Sequence, residues 1–296
     1  MTRRERLLRI ERSFNRRTSS PRAKQTLLAV ALALFVIVCV ISFRALPADI
    51  EPRWWTAPVL ALLTPATVLT NAAEFRVMGR MNGQHIRWFA AARLTVIAGA
   101  ANLLPLPGGI VIRTQALRQR GSTYKHALAA NAAAGVAWIG TAAIMIGTLY
   151  VFHAGDRGAA AALLAIGALC LVGVAVLLRR VVPDDATALL LRLILVEAVT
   201  TVVSGARFYF AFELIGLHAT AAQALALTAS QIISAAVGIF PAGLGLREVL
   251  AGAIGSAVSL PASQSIAATA SDRITSQLTL AVIALTMLVL SKRRAS

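Results

Sequence analysis

The chain is predicted to be all-α: a polytopic transmembrane helical bundle, built as an inverted repeat with two broken, re-entrant helical hairpins. Three observations predict it. Of 296 residues, 58% are hydrophobic and only 14% charged, where average soluble domains are about half apolar and roughly a quarter charged. Apolar runs of about 17–25 residues, the length that crosses ~30 Å of hydrocarbon, recur along the whole chain. Two tracts then break that pattern with prolines, glycines and an arginine: "NLLPLPGGIVIR" from Asn102 to Arg113 and "FPAGLGLREVLAG" from Phe240 to Gly252.

The elements follow in order. Residues 1–25 form a basic segment in which Leu7, Ile10 and Phe14 make one apolar stripe, as in an amphipathic helix lying on anionic lipid; a purely topogenic basic tail is the other reading. The apolar run Leu27–Phe43 is longer than a usual signal-peptide core and follows a long basic region, so it is read as an uncleaved first span, with cleavage near "RALPA" as the alternative. Spans are expected near 26–43, 57–78, 127–151, 159–178, 193–216 and 266–290. No tract between them is long enough for a soluble domain. The membrane domain thus covers 26–291, and 292–296 is a cytoplasmic tail.

The net charge of +17 would suggest nucleic acid in a soluble chain. In a membrane chain it sets orientation, because Lys and Arg stay on the cytoplasmic side, and no nucleic-acid partner is expected. Nine basic residues precede residue 26, four lie from Arg76 to Arg93, four from Arg113 to Lys125, three from Arg179 to Arg192, and three in the tail Lys292–Arg294. Only Arg44, Arg53 and Arg157 fall outside, and Arg207, Arg247 and Arg273 lie in or near the membrane. A multi-pass protein of the bacterial inner membrane, with both termini cytoplasmic, is the expectation.

Parity then shapes the interrupted tracts. Arg93 and Arg113 are both inside, so 93–113 enters and returns from one face, broken at "PLPGG". Twelve residues of helix, Arg93–Leu104, reach about 18 Å, just past the midplane. Residues 219–262 begin and end outside; they form a second hairpin or two full spans, since the limb Ala221–Ile239 is long enough to cross. Pro105 and Gly109 stand four apart, as do Pro241 and Gly245, and an arginine follows each pair. Each half (about 26–152 and 159–291) reads span, span, broken hairpin, span, and three crossings per half invert the second half relative to the first. Many transporters bind substrate where such breaks meet.

Broken backbone at membrane depth persists only where protein or a water-filled cavity satisfies it. A helix starting after a glycine break offers N–H groups and a positive dipole end to an anion, and arginine adds a phosphate-matching fork. The lipid-headgroup cavity is therefore assigned to Asn102, Pro105, Gly108, Gly109, Arg113, Arg207, Pro241, Gly243, Gly245, Arg247 and Glu248. Arg113 has a second reading, as a topology signal at the cytoplasmic rim. Arg207 falls mid-span, where a charge costs at least ~2.5–3.5 kcal/mol; it faces a polar cavity or pairs structurally with a glutamate. Glu197, about 80° away around the helix, and Glu213, about 120° away, are the near acids. Gate or coupling candidates are Glu197, Glu213, Asp272 and Arg273, the last two near the outer end of the final span and pointing to different partners. Asn71 and Glu74 line the inner mouth or meet headgroups. Cys39, Cys170 and the single histidines at 85, 126, 153 and 218 have no ligand spacing, so no metal, cofactor or catalytic residue is expected.

These residues resemble the flippase-like membrane domain of bacterial lysylphosphatidylglycerol synthases. "PAGLGLREVLAG" with "SDRITSQL" downstream looks like that family's Pro-x-Gly-x-Gly-x-x-Glu element and later Arg. "NLLPLPGGIVIRTQALRQRGSTYKHAL" is similar to its Pro-x-x-x-Gly-x-x-x-Arg element. The likeness covers about residues 25–291, but Ile110 stands where the family usually has an acid, and the acidic-basic pair of the next span is absent from "AANAAAGVAWI". The resemblance implies movement of a lipid between leaflets. It does not imply aminoacylation, which those synthases carry in a separate soluble domain. The expected substrate is an anionic phospholipid or polyprenyl phosphate. No G-x-x-x-x-G-K-[ST] occurs, so ATP is not the direct drive; movement is downhill, proton-coupled through Glu248 or Glu213, or dependent on a partner. Two other readings remain at this point: a non-transporting scaffold for a cell-envelope synthase or glycosyltransferase, and an intramembrane lipid-modifying enzyme using Glu248 and Asp272.

Overall fold

The computed structural model describes residues 21–48, 50–101, 108–153, 157–237 and 243–293. The stripe of Leu7, Ile10 and Phe14 lies outside the described residues. All the regular structure described is helical: α1 (Pro21–Arg44), α2 (Thr56–Met81), α3 (Trp88–Ala101), α4 (Gly108–Arg118), α5 (Tyr124–His153), α6 (Arg157–Val181), α7 (Ala186–Leu214), α8 (Ala221–Ala226), α9 (Thr228–Val237), α10 (Leu246–Ala257) and α11 (Ala262–Arg293). Four of these, α2, α5, α6 and α7, are long and apolar enough to cross a membrane. Every expected span lies on a helix, although α7 begins at Ala186 and ends at Leu214 rather than running 193–216.

The distribution of side chains is consistent with a chain solvated by lipid. Leu62 and Leu69 on α2, Leu169 on α6, Leu191 and Leu195 on α7, and Val282 and Leu285 on α11 all face outward. Glu197, Arg207, Glu248, Asp272 and Arg273 are buried. Water would favour the reverse, because an outward leucine gains nothing from it and a buried charge loses its hydration.

The interior falls into two clusters. One gathers Phe75 and Met78 of α2, Leu117 of α4, Ala127 and Ala134 of α5, Val174 of α6 and Leu193 of α7. The other gathers Leu60 of α2, Phe208 and Phe212 of α7, Leu227, Ala251 of α10 and Ala267 and Ala268 of α11. Helices α2 and α7 pack on each other and serve both clusters, one with each end. Further contacts include α3 on α4, α4 on α5 and α5 on α6, and α9 on α10, α10 on α11 and α11 on α1; α3 also packs on α2, and α5, α6, α8 and α11 pack on α7.

The limb that begins at Ala221, long enough from sequence to cross, is interrupted. Helix α8 ends at Ala226 and α9 starts at Thr228. The hydroxyls of Thr228 and Ser230 donate to the carbonyls of Leu225 and Leu227 at 2.6 and 2.7 Å. Such local bonds compete with the helical N–H ladder and bend it.

Small residues bring the long helices close, as they do where lipid supplies no hydrophobic drive. A Cβ added at Gly167 of α6 would stand 2.8 Å from the carbonyl oxygen of Gly140 and 3.0 Å from the backbone nitrogen of Ile144 on α5. Backbone cannot swing aside as a side chain can. Gly167→Ala is therefore expected to lower stability by about 1–3 kcal/mol, measured by thermal unfolding in detergent. Gly173→Ala on the same helix, where the added carbon meets nothing within 4 Å, should cause no loss.

Candidate functional site

The polar interior is organised around α11. Asp272 and Arg273 are adjacent, so a step of about 100° around the helix sends them to different neighbours. Asp272 is fully buried and accepts from two arginines. Nε of Arg207 on α7 donates to its Oδ1 at 2.9 Å, and NH2 of Arg247 on α10 donates to its Oδ2 at 2.6 Å. Arg207 also reaches across to Oγ1 of Thr67 on α2 at 3.2 Å. Arg273 instead donates from Nε to Oε1 of Glu248 at 2.7 Å, and from NH2 to the carbonyl of Gly243 at 3.2 Å. The guanidinium of Arg247 lies 5.1 Å from the centre of the Phe208 ring, and that of Arg273 lies 5.8 Å from Phe35 of α1, distances at which ring faces attract cations.

The start of α10 explains why glycines stand here. Gly243 and Gly245 have φ of +66° and +78°, the left-handed region that residues with a Cβ avoid. That turn delivers Leu246, Arg247 and Glu248 as the first residues of α10. Oε2 of Glu248, third in the helix, accepts from the Gly245 N–H at 3.0 Å. The helix start is thus capped by its own carboxylate, and this N–H is not open to an incoming anion. Pro241 lies outside the described residues.

Charge does not balance. Three guanidinium groups, of Arg207, Arg247 and Arg273, face two carboxylates, of Asp272 and Glu248, leaving a net +1. Nε of Arg247 is buried without a hydrogen-bond partner. An uncompensated buried charge is expensive, so the surplus is the site's most informative property.

The first break gives a separate cluster. Asn102 and Pro105 lie outside the described residues; Gly108 and Gly109, both buried, begin α4. NH1 of Arg113 donates to Oε2 of Glu74 on α2 at 2.9 Å. Arg113 therefore stays apart from Arg207 and Arg247, which share Asp272. It follows its glycine, Gly109, by four residues, whereas Arg247 follows Gly245 by two. Glu197 on α7 stands within electrostatic reach of Glu74 and Arg113. Its Oε1 is buried with no hydrogen-bond partner. Ile110 points outward.

Glu213 sits elsewhere. It pairs with Arg53 of the α1–α2 loop and with Nδ1 of His218 at 2.8 Å, fastening that loop to the end of α7. Arg207 therefore takes neither Glu197 nor Glu213 as its partner but Asp272, which is buried within the bundle. The sequence signal for this was the polar run "SQSIAATASDRITSQ" on α11, a polar face that only a helix turned inward can keep in lipid. Among the described residues no group of three or more His, Cys, Asp or Glu is placed to hold a metal.

Removing Asp272 strands two buried cations, and Asp272→Asn is expected to cost about 3–5 kcal/mol in chemical unfolding in detergent. Arg247→Met leaves Arg207 and Asp272 matched one to one and should cost less. Compared with known proteins, the chain matches no family model, and no curated protein sequence matches it.

Proposed function

We propose that the chain is a flippase-like transporter that moves an anionic lipid, a phospholipid or polyprenyl-phosphate carrier, between the leaflets of the bacterial inner membrane, with both termini cytoplasmic. The reading takes up the resemblance to the membrane domain of lysylphosphatidylglycerol synthases. One observation carries it: the surplus positive charge of the Arg207–Asp272–Arg247 and Arg273–Glu248 groups, at a glycine break inside an apolar bundle. A phosphate monoanion brings the cluster to neutrality. An electrically neutral scaffold has no use for the surplus.

The packing supports the duplication that the reading includes. Exchanging α1 with α6, α2 with α7, α3 with α8–α9, α4 with α10 and α5 with α11 maps α2-on-α7 onto itself. The same exchange turns α3-on-α4, α4-on-α5 and α5-on-α6 into α9-on-α10, α10-on-α11 and α11-on-α1. In this reading α3–α4 and α9–α10 are the two re-entrant hairpins, and α2 and α7 form the seam between inverted halves.

The side chains of Arg207, Arg247 and Arg273 are at most 12% exposed, so a headgroup enters only when α10 shifts against α11. The same burial favours the second reading, a non-transporting scaffold whose charges merely lock helices together. The two part in reconstituted vesicles holding labelled phosphatidylglycerol or a polyprenyl phosphate. The transporter accelerates exchange between leaflets, and Arg247→Gln, which removes the surplus charge, slows it at least tenfold while the protein stays folded. A scaffold moves no lipid, and Arg247→Gln changes nothing.

A further inference from the structure

The second buried cluster has the opposite imbalance. Glu74, on α2, already occupies Arg113 through a 2.9 Å bond. Glu197, on α7, is 2% exposed, its Oε1 has no partner, and the charges that act on it are those two groups. Two carboxylates against one guanidinium leave −1 in the interior of the bundle. Among the described residues the other helices packed on α7 bring no further charge to it: Asp272 and Arg273 of α11 are engaged around Arg207 and Arg247 and with Glu248, Lys125 and His126 of α5 and Arg157, Arg179 and Arg180 of α6 are exposed, and α8 and α9 contain no charged residue.

An ionised carboxylate without a hydrogen bond does not persist in such a place; it takes up a positive charge or is paired. A metal cation needs several oxygens. Here the nearby hydroxyls of Thr200 and Thr201 donate to the carbonyls of Val196 and Glu197 at 2.8 and 2.7 Å. A proton needs one oxygen. We propose that Glu197, with Glu74 and Arg113, forms a site that binds one proton, and that this proton is the coupling ion of the lipid movement proposed above. The proton comes from water, adds to a carboxylate oxygen of Glu197 and returns to water on release; no other bond changes. Its route passes Arg113 and Glu74, whose side chains are 18% and 12% exposed.

Coupling follows from placement on one helix. Glu197 and Arg207 are ten residues apart on α7, about 15 Å. Unit charges at that separation interact by a factor of about six in affinity at an effective dielectric of ~20. Neutralising the positive cluster with an anionic headgroup therefore raises the proton affinity of Glu197 about sixfold, and the reverse holds by linkage. Fully loaded, both clusters are neutral.

The site itself is tested without transport. In the full chain in nanodiscs, infrared difference spectra across a pH titration should show the carbonyl stretch of a buried protonated carboxyl. The band should vanish in the isosteric Glu197→Gln. It should vanish also in Glu74→Gln, where Arg113 is released to pair with Glu197 and keeps it ionised. No band in the wild type, a band unchanged in either variant, or a sodium-dependent signal in its place would overturn the proton site. The coupling role rests on the transport reading and has its own readout. Flipping that follows an imposed pH gradient in the wild type and not in Glu197→Gln supports it; flipping indifferent to both overturns it. A wild type that moves no lipid yet shows the band removes the transport reading and leaves the proton site standing.

Discussion

Asp272 holds the interior together by accepting from two cations at once. A single buried carboxylate with both oxygens occupied, one by α7 and one by α10, ties three helices to one point. Everything near it is arranged in consequence. Arg273 must turn to Glu248 because the neighbouring acid is full. Glu248 can meet Arg273 only because two left-handed glycines bring α10 to a start at that level. Thr67 supplies Arg207 with an acceptor from α2, so the central pair of helices is held by a hydrogen bond as well as by packing.

Dispersion between small residues does the rest. In lipid an apolar side chain gains little by facing another helix instead of an acyl chain, so association depends on close fit and on polar pairing. Alanine dominates the buried surface of α5, and Gly140 and Gly167 let α5 and α6 touch at backbone distance. Polar locks near α2 and α7 and tight dry contacts at the margins are complementary. The first resist separation, and the second permit a helix to slide.

Much of this was legible in the sequence. Hydropathy placed every long helix, because an apolar run of span length has one stable form in a bilayer. The glycine-rich breaks marked the starts of α4 and α10, and Arg207 stood out as a mid-span charge. Partner identity was not legible. Angular arguments along α7 could rank Glu197 and Glu213 against Arg207, but they carry no information about α11, 65 residues away in sequence. For that reason neither the pairing of Arg207 with Asp272 nor that of Glu213 with Arg53 and His218 could be read from the sequence. The interruption at Leu227 was equally hidden, since "LTAS" reads as acceptable helix until the threonine and serine hydroxyls are seen to bond backward.

Glu248 bears on how any anion would exchange at the start of α10. The Gly245 N–H is covered by a carboxylate that belongs to the same helix, so an arriving oxyanion finds a tenant, not a vacancy. Binding there becomes a substitution: as one set of oxygens comes in, Glu248 must swing out and take Arg273 with it. The backbone donor is then never left bare in oil during the handover, and the toll for opening is met by the guest on entry.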